Sequence, residues 1–205
     1  VVIHQKHHLE LAFNKFVTDK VAAAKSPYMS RPAVADRNSP LHYSKITLAK
    51  NDTEREMMKS CPFLPALATL MYVVHFTNAH LNYNTSFLGQ FMHDPSPAGW
   101  EAVLGLVIYA YYHRDVDVIV YGGELSIPRV IPQNRRSDFL ASYGFHGYCD
   151  ASWLLRSPAG YFIFLLNGPI DWSSKLIRVI CHSSAEAEIA AGCMLGKRMV
   201  FVVQL

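Results

Sequence analysis

Apolar residues recur at helical spacing near the start of the chain. Leu9, Phe13 and Phe16 are separated by four and three residues, which predicts one apolar stripe on a short helix within residues 3–18. The segment that follows, residues 25–60, is rich in Pro, Ser, Asn and Asp and has linker-like composition. If this segment is ordered, we expect it to lie against its own domain or a neighbour.

The helical pattern returns between residues 62 and 121. It predicts three helices, the first opened by Pro65, and their expected bounds are 65–76, 81–92 and 98–113. The third is apolar nearly all the way round, which is typical of a helix buried on several sides. We therefore expect helix 98–113 to offer a surface to a partner.

The pattern changes after Gly123, where a polar stretch containing two prolines leads into a region of alternating and aromatic-rich runs. These runs predict an antiparallel meander of three strands, at residues 145–153, 159–166 and 176–182. A helix follows, capped by Ser183 or Ser184, with acidic residues in its first turn and basic residues at its end. The expected fold class is α+β.

Composition and charge restrict the class of protein only slightly. The chain has 205 residues, of which 51% are hydrophobic and 17% charged, so it is expected to be globular with apolar surface to spare. The net charge of +3 permits nucleic-acid binding without predicting it. The four cysteines form no C-x-x-C pair, which favours a reducing, intracellular compartment. The longest apolar run, from Ala102 to Tyr112, is too short to span a membrane.

Candidate chemistry lies in the strand-rich region. Asp150 belongs to the first predicted strand, and Glu186 and Glu188 begin the helix after the third. An acid on a strand and another on a neighbouring helix is how two-metal nucleases begin to hold a pair of divalent ions, for which carboxylate oxygens are the required ligands. Two carboxylates do not complete such a site. Further acids would have to come from other elements.

Several ordered strings make a specific resemblance. YCDASW, AGYFIFLLNGPIDWSSK and SSAEAEIAA look like the RNase H portion of copia-type LTR-retrotransposon polyproteins, including a hairpin that leads to a Trp-Ser-x-Lys turn. Upstream, IHQKHHLELAFNKF, LMYVVHFTNAHLNY and LGQFMHDPSPAGWEAV look like the end of the reverse transcriptase and its connection region. The resemblance implies that Asp150 and Glu188 are the ancestral catalytic and metal-binding residues, with Glu186 the weaker candidate, and that Mg²⁺ is the cofactor if the site is active.

The resemblance also implies a domain order. It comprises a reverse-transcriptase helix (1–24), a linker-like segment (25–60), a helical connection region (61–123), a linker (124–144) and a partial RNase H-like domain (145–205). The chain runs from Val1 to Leu205. We expect it to begin inside a larger reading frame and to stop before the remaining metal ligands.

The chain departs from the family pattern by exchanging charge for apolar surface. Phe63, Leu64 and Pro65 stand where the family has an aromatic residue and an Arg-Glu pair, and Ser152 replaces an acid. In the third predicted helix, apolar or uncharged residues also occupy positions that are basic in the family. These are Leu104, Gly105, Ile108 and Tyr111.

Three functions follow as alternatives. The first is a domesticated, non-catalytic structural or interaction subunit whose protein partners cover helix 98–113 and segment 25–60. The second is a fragment of an active reverse transcriptase/RNase H that cleaves RNA in RNA–DNA hybrids with two Mg²⁺ ions. The third is a protein that binds nucleic acid passively through basic side chains. The candidates for these contacts are Arg129, Arg135, Arg136 and Lys175.

Overall fold

The computed structural model describes residues 2–30, 32, 39, 41–115, 119–120, 140–153 and 157–204. The chain divides into two compact units. The helical unit comprises residues 3–118, and the sheet–helix unit comprises residues 1–2 and 119–205.

The described part of the helical unit contains α-helices joined by short turns of 3₁₀-helix. The α-helices are α1 (Lys6–Phe16), α2 (Lys20–Ala23), α3 (Asp52–Lys59), α4 (Phe63–Phe76), α5 (Asn82–Leu88) and α6 (Pro97–Tyr112). The 3₁₀ turns are Pro27–Met29, Tyr43–Lys45, Ala79–Leu81 and Gly89–Phe91. The helices predicted within 3–18, 65–76 and 98–113 are confirmed as α1, α4 and α6, and the helix predicted at 81–92 is α5 flanked by two 3₁₀ turns.

The linker-like segment 25–60 contains a helix that its composition did not predict. The Asn51 side chain accepts a hydrogen bond from the backbone N–H of Glu54 at 2.9 Å, and the Glu54 carboxylate accepts one from the N–H of Lys50 at 2.8 Å. These two bonds satisfy N–H groups at the start of α3, as a capping box does. Local capping therefore overcomes a composition typical of linkers.

Helix α6 forms the core of the helical unit. It packs against α1 and α4, and among residues 97–112 only Glu101 is exposed. Its N-terminus is capped by Ser96, which accepts a hydrogen bond from the N–H of Gly99, and Tyr111 near its end stacks on Phe13 at 3.9 Å. The apolar character of this helix is therefore explained by burial within its own unit.

The sheet–helix unit contains a three-stranded antiparallel sheet in the order β3-β4-β5 and a long helix. The short strands β1 (Val2–Ile3) and β2 (Ile119–Val120) come earlier in the chain. The main elements of this unit are β3 (His146–Ala151), β4 (Pro158–Leu165), β5 (Gly168–Leu176) and α7 (Ser184–Gln204). The α+β class, the antiparallel meander and the first two strands are confirmed.

The third strand was predicted wrongly. It lies at Gly168–Leu176, which includes the residues of the Trp-Ser-x-Lys turn that the resemblance implies, and not at residues 176–182. The chain reverses at Leu166 and Asn167, both with positive φ (53° and 62°), so that Gly168 already pairs with Leu165 and Trp172 with Phe162. A two-residue turn of this hand matches strand twist and sets the pairing that follows. The polar residues of WSSK are therefore part of a hydrogen-bonded strand.

Helix α7 lies close to one face of the sheet. Ala187 and Ala191 are buried, and a Cβ added to Gly147 would stand 2.6 Å from the Leu195 side chain. The absence of a side chain at Gly147 therefore leaves room for Leu195 in this arrangement.

No single helix among the described residues is long and apolar enough to cross a bilayer. The consecutive helices α3 and α4 have the length and composition together, but they are bent by 66°.

The turn between β4 and β5 provides a test of the sheet. Leu166 adopts a left-handed conformation that costs a residue with a Cβ about 1–2 kcal/mol and that Asn tolerates better. We expect Leu166→Asn to raise the free energy of unfolding by about 1 kcal/mol, measured by urea denaturation. The β-branched control Leu166→Val should lower it. Equal stability of the two variants would contradict the turn geometry.

Candidate functional site

Asp150 lies near the end of β3 with an exposed side chain. Exposure alternates along β3, and the less exposed set contains Gly147, the residue that faces Leu195 of α7. Successive side chains of a strand point to opposite faces. Asp150 therefore lies on the face opposite α7, and its cross-strand neighbour is Gly160.

The two acids at the start of α7 differ in their surroundings. The Glu186 carboxylate accepts a hydrogen bond from the backbone N–H of His182, while the Ser183 hydroxyl accepts one from the N–H of Glu186 at 3.2 Å. This pair resembles a capping box, except that the carboxylate bonds the N–H of the residue before the cap. Glu188 is exposed and has no hydrogen bond or ion pair within the described part of the chain. Glu186 thus has a structural role, and Glu188 remains the predicted metal-binding acid of the helix.

A side-chain hydrogen bond joins the end of β3 to the loop before α7. The Trp153 indole N–H donates to the Cys181 carbonyl oxygen at 3.0 Å, although the Trp153 ring is 56% exposed. This bond brings the segment that carries Asp150 to the same end of the unit as the start of α7. The end of β3 and the start of α7 therefore lie near each other.

A third acid of this unit was not predicted as a site residue. Asp171 on β5 pairs with Arg198 of α7, and the Tyr161 hydroxyl donates to the same carboxylate at 3.4 Å. Burial first, and then the Asp171 charge, raise the pKa of Tyr161; the hydrogen bond to Asp171 raises the pKa of Arg198. The Asp171 side chain is only 17% exposed, so its carboxylate fastens α7 to β5.

The fit to a two-metal centre can be judged from these donors. Across the described residues, no group of three or more His, Cys, Asp or Glu side chains is arranged to hold a metal ion. Of the four acids considered, Glu186 caps a helix and Asp171 is paired with Arg198, which leaves Asp150 and Glu188. Two Mg²⁺ ions about 4 Å apart require more carboxylate oxygens, converging on one point. The described residues supply two acids toward such a centre, and the roles of Asp150 and Glu188 stay predictions.

Of the four predicted nucleic-acid contacts, Lys175 lies in the described part of the chain, where it is exposed on β5. Arg129, Arg135 and Arg136 lie outside the described residues, and all four contacts stay predictions.

Together the elements define an α+β protein, in which a helical unit is followed along the chain by an antiparallel sheet and its helix. No family model matches the chain, and no solved structure matches it. The retrovirus-related Pol polyprotein from transposon TNT 1-94 of Nicotiana tabacum is 25% identical over 178 residues, which are 84% of this chain and 12% of that protein. The corresponding polyprotein from transposon RE2 of Arabidopsis thaliana is 28% identical over 127 residues, 60% of this chain and 8% of that protein.

A shorter relative is also similar. Secreted RxLR effector protein 161 of Plasmopara viticola is 30% identical over 139 residues, which are 65% of this chain and 86% of that protein. The chain belongs to the family of copia-type retrovirus-related Pol polyproteins, and it is retroelement-derived. It spans only 12% and 8% of the two Pol polyproteins above.

The different surroundings of Glu186 and Glu188 can be tested directly. Removing the capping carboxylate with Glu186→Ala should lower the free energy of unfolding by about 1 kcal/mol, because the N–H of His182 loses its partner. The matched change Glu188→Ala, two residues along the same exposed turn, should leave stability within about 0.5 kcal/mol of the parent. Urea denaturation of both variants measures the difference. A larger loss at Glu188 would contradict this assignment.

Proposed function

We propose that this retroelement-derived chain serves as a non-catalytic interaction subunit of a larger assembly, and that it contacts its protein partner through helix α4. The observation that carries the proposal is an exposed apolar face on this helix. Leu64, Met71 and Phe76 are 56%, 43% and 47% exposed. Large side chains of this kind on one helix face are typical of protein–protein contact sites.

The α4 face consists of Leu64, Ala68, Met71, Tyr72, His75 and Phe76, all exposed and spaced by one or two helical turns. Helix α4 contains no Asp, Glu, Lys or Arg, so no charged side chain interrupts this face. The face continues onto α1, where the His8 ring lies 5.1 Å from that of Tyr72 and Leu11 is 54% exposed. A partner that covers α4 and α1 together would remove this apolar surface from water.

The proposal changes where the partner is expected to bind. Helix 98–113 was predicted to be covered by partners, but α6 is already covered by its own unit, so its apolar character supplies no argument for one. Segment 25–60 keeps a proposed role because Leu48 and Met57 are 39% and 57% exposed.

The relatives support a use outside catalysis. The Plasmopara viticola relative is named an effector protein and not a polyprotein, and this chain covers 86% of it. A sequence of this kind can therefore occur outside a polymerase. This supports a domesticated role for the present chain.

The α4 face is tested by placing charge on it. The double variant Met71→Glu/Phe76→Glu should reduce hydrophobic-dye binding and self-association of the full chain at micromolar concentration several-fold. The reason is that the exposed Met71 side chain and the exposed Phe76 ring are both replaced by hydrated carboxylates. Val21→Glu is the matched control, since Val21 is 69% exposed on α2, and it should change neither measurement. A parent chain that is monomeric and binds no dye would refute the proposal.

The alternative, an RNase H-like domain that cleaves RNA–DNA hybrids, makes the opposite prediction about Asp150 and Glu188. We expect the full chain to give no Mg²⁺-dependent cleavage of a labelled hybrid above background, and Asp150→Asn and Glu188→Gln to leave that background unchanged. The reason is that no group of three or more potential metal ligands is found among the described residues, whereas two Mg²⁺ ions need several carboxylates. Metal-dependent cleavage that disappears in both variants would establish the enzyme in place of the non-catalytic subunit. Salt-sensitive hybrid binding without cleavage would favour the passive role of Arg129, Arg135, Arg136 and Lys175.

A further inference from the structure

Strand β3 has an outer edge that no described strand covers. It and β5 are the two outer strands of the sheet, with β4 between them. An unpaired edge can bond another strand, so proteins usually protect it with Pro, Lys or an irregular register. Strand β5 has all three features, in Pro169, Lys175 and a shift in its register with β4. Strand β3, with the sequence HGYCDA, has none of them.

Hydrogen bonding within the sheet shows which residues of β3 direct their backbone groups towards that edge. Just beyond the end of β3, the N–H of Ser152 donates to the carbonyl oxygen of Pro158 on β4 at 3.0 Å. Along an antiparallel strand, alternate residues bond the same neighbour. Gly147, Cys149 and Ala151 are out of step with Ser152, so their N–H and C=O groups point away from β4. The described part of the chain supplies no hydrogen bond to them on that side.

The side chains that flank this edge are exposed. His146, Tyr148 and Asp150 share the face opposite α7, and Tyr148, in the middle of the strand, is 66% exposed. The His146 Nδ1 lies 2.6 Å from the carbonyl oxygen of Gly144, which can only accept, so Nδ1 donates. The other ring nitrogen, Nε2, has no hydrogen bond within the described part of the chain. It is therefore left for an acid from outside.

The order of these side chains is self-complementary. If β3 pairs antiparallel with β3 of a second copy, centred on Tyr148, each His146 lies opposite Asp150 of the other copy. Gly147 and Cys149 of the other copy then exchange their backbone hydrogen bonds, as the direction of those groups requires. The exposed side chains fall at the pairs without hydrogen bonds, where Cα atoms are only about 4.5 Å apart. Moving the register by one residue pair in either direction would lose both His146–Asp150 contacts.

Helix α7 leaves room for this pairing. In an antiparallel pair related by a two-fold axis, both copies of α7 lie on the same face of the joined sheet. Each α7 contacts both β3 and β4 of its own copy, and so lies between these strands and away from the outer edge of β3. With a strand spacing of about 4.8 Å, the two helix axes would be about 10 Å apart, a distance at which helices pack.

We propose that the outer edge of β3 is an interface between two copies of this chain, which pair antiparallel into one continuous sheet. Backbone hydrogen bonds supply the attraction, and the two His146–Asp150 contacts select the register. The inference does not depend on the interaction role proposed for the α4 face.

Sedimentation velocity of the full chain measures the pairing, at about 100 µM because an interface of one strand is expected to be weak. The parent for all variants is Met71→Glu/Phe76→Glu, so that association through the α4 face does not contribute. The pH is set at about 6, below the value of about 6.5 at which a free imidazole is half-protonated. We expect discrete dimers. A parent that stays monomeric would overturn the pairing of two copies without bearing on the α4 face.

Charge reversal tests the contact between His146 and Asp150. His146→Glu and Asp150→Lys each place like charges directly opposite one another, and each should weaken the dimer about three- to tenfold. The two changes together reverse the pair and should restore the dimer. Val179→Lys is the matched control, since Val179 is 67% exposed in the same unit but lies after β5, and it should have no effect. Failure of the combined variant to recover any of the loss would refute the contact.

Cross-linking tests the register. Cys61→Ser/Cys193→Ser is added to the parent to reduce other reactions of thiols. Tyr148→Cys then places two thiols at a Cα separation of about 4.5 Å, within the reach of a disulfide. The control Asp150→Cys separates the two substituted positions by about 13 Å along the strands, which is beyond that reach. We expect mild oxidation to link dimers only through Tyr148→Cys, and equal linkage in the two variants would exclude this register.

Discussion

The burial of α6 within its own unit is the constraint on which the helical half of the molecule depends. Leu106, Val107 and Ala110 are fully buried, and α1 and α4 pack against the same helix. A helix that is covered on nearly every side has little room for charged groups, because an unpaired charge in such a place would lose its hydration. The uncharged residues Leu104, Gly105, Ile108 and Tyr111 are therefore compatible with the core, whatever their origin. The surface available to partners must then lie on the outer helices.

The sheet–helix unit is stabilised differently, because its sheet is small and one helix covers one face. Gly147 allows Leu195 to approach the backbone of β3, and Arg198 near the end of the same helix pairs with Asp171 on β5. The helix is thus fixed to both outer strands of the described sheet, at one strand by close packing and at the other by a partly buried ion pair. The hydrogen bond from Trp153 to Cys181 fixes its approach at the opposite end.

The sequence predicted the elements whose signal is local. Helices α1, α4 and α6 follow from apolar spacing and capping, and β3 and β4 from aromatic and β-branched runs. Strand β5 was missed because Asp171, Ser173 and Ser174 are polar, and only pairing with β4 makes them a strand. Helix α3 was missed although Asn51 and Glu54 have the spacing of a capping box. Periodicity also cannot tell a helix buried by its own chain from one buried by a partner, so the role of α6 required the fold.

The candidate site shows why family membership and chemistry separate in this chain. Several residues that carry the resemblance have structural tasks: Glu186 caps α7, Trp153 joins β3 to the loop before the helix, and Asp171 pairs with Arg198. Folding alone would be sufficient to require these three side chains, in this order along the chain. Asp150 and Glu188 have no such task in the described structure, where no group of three or more potential metal ligands is found. A motif can therefore keep its order because the fold needs it, and the presence of the order is weak evidence that the nuclease chemistry persists.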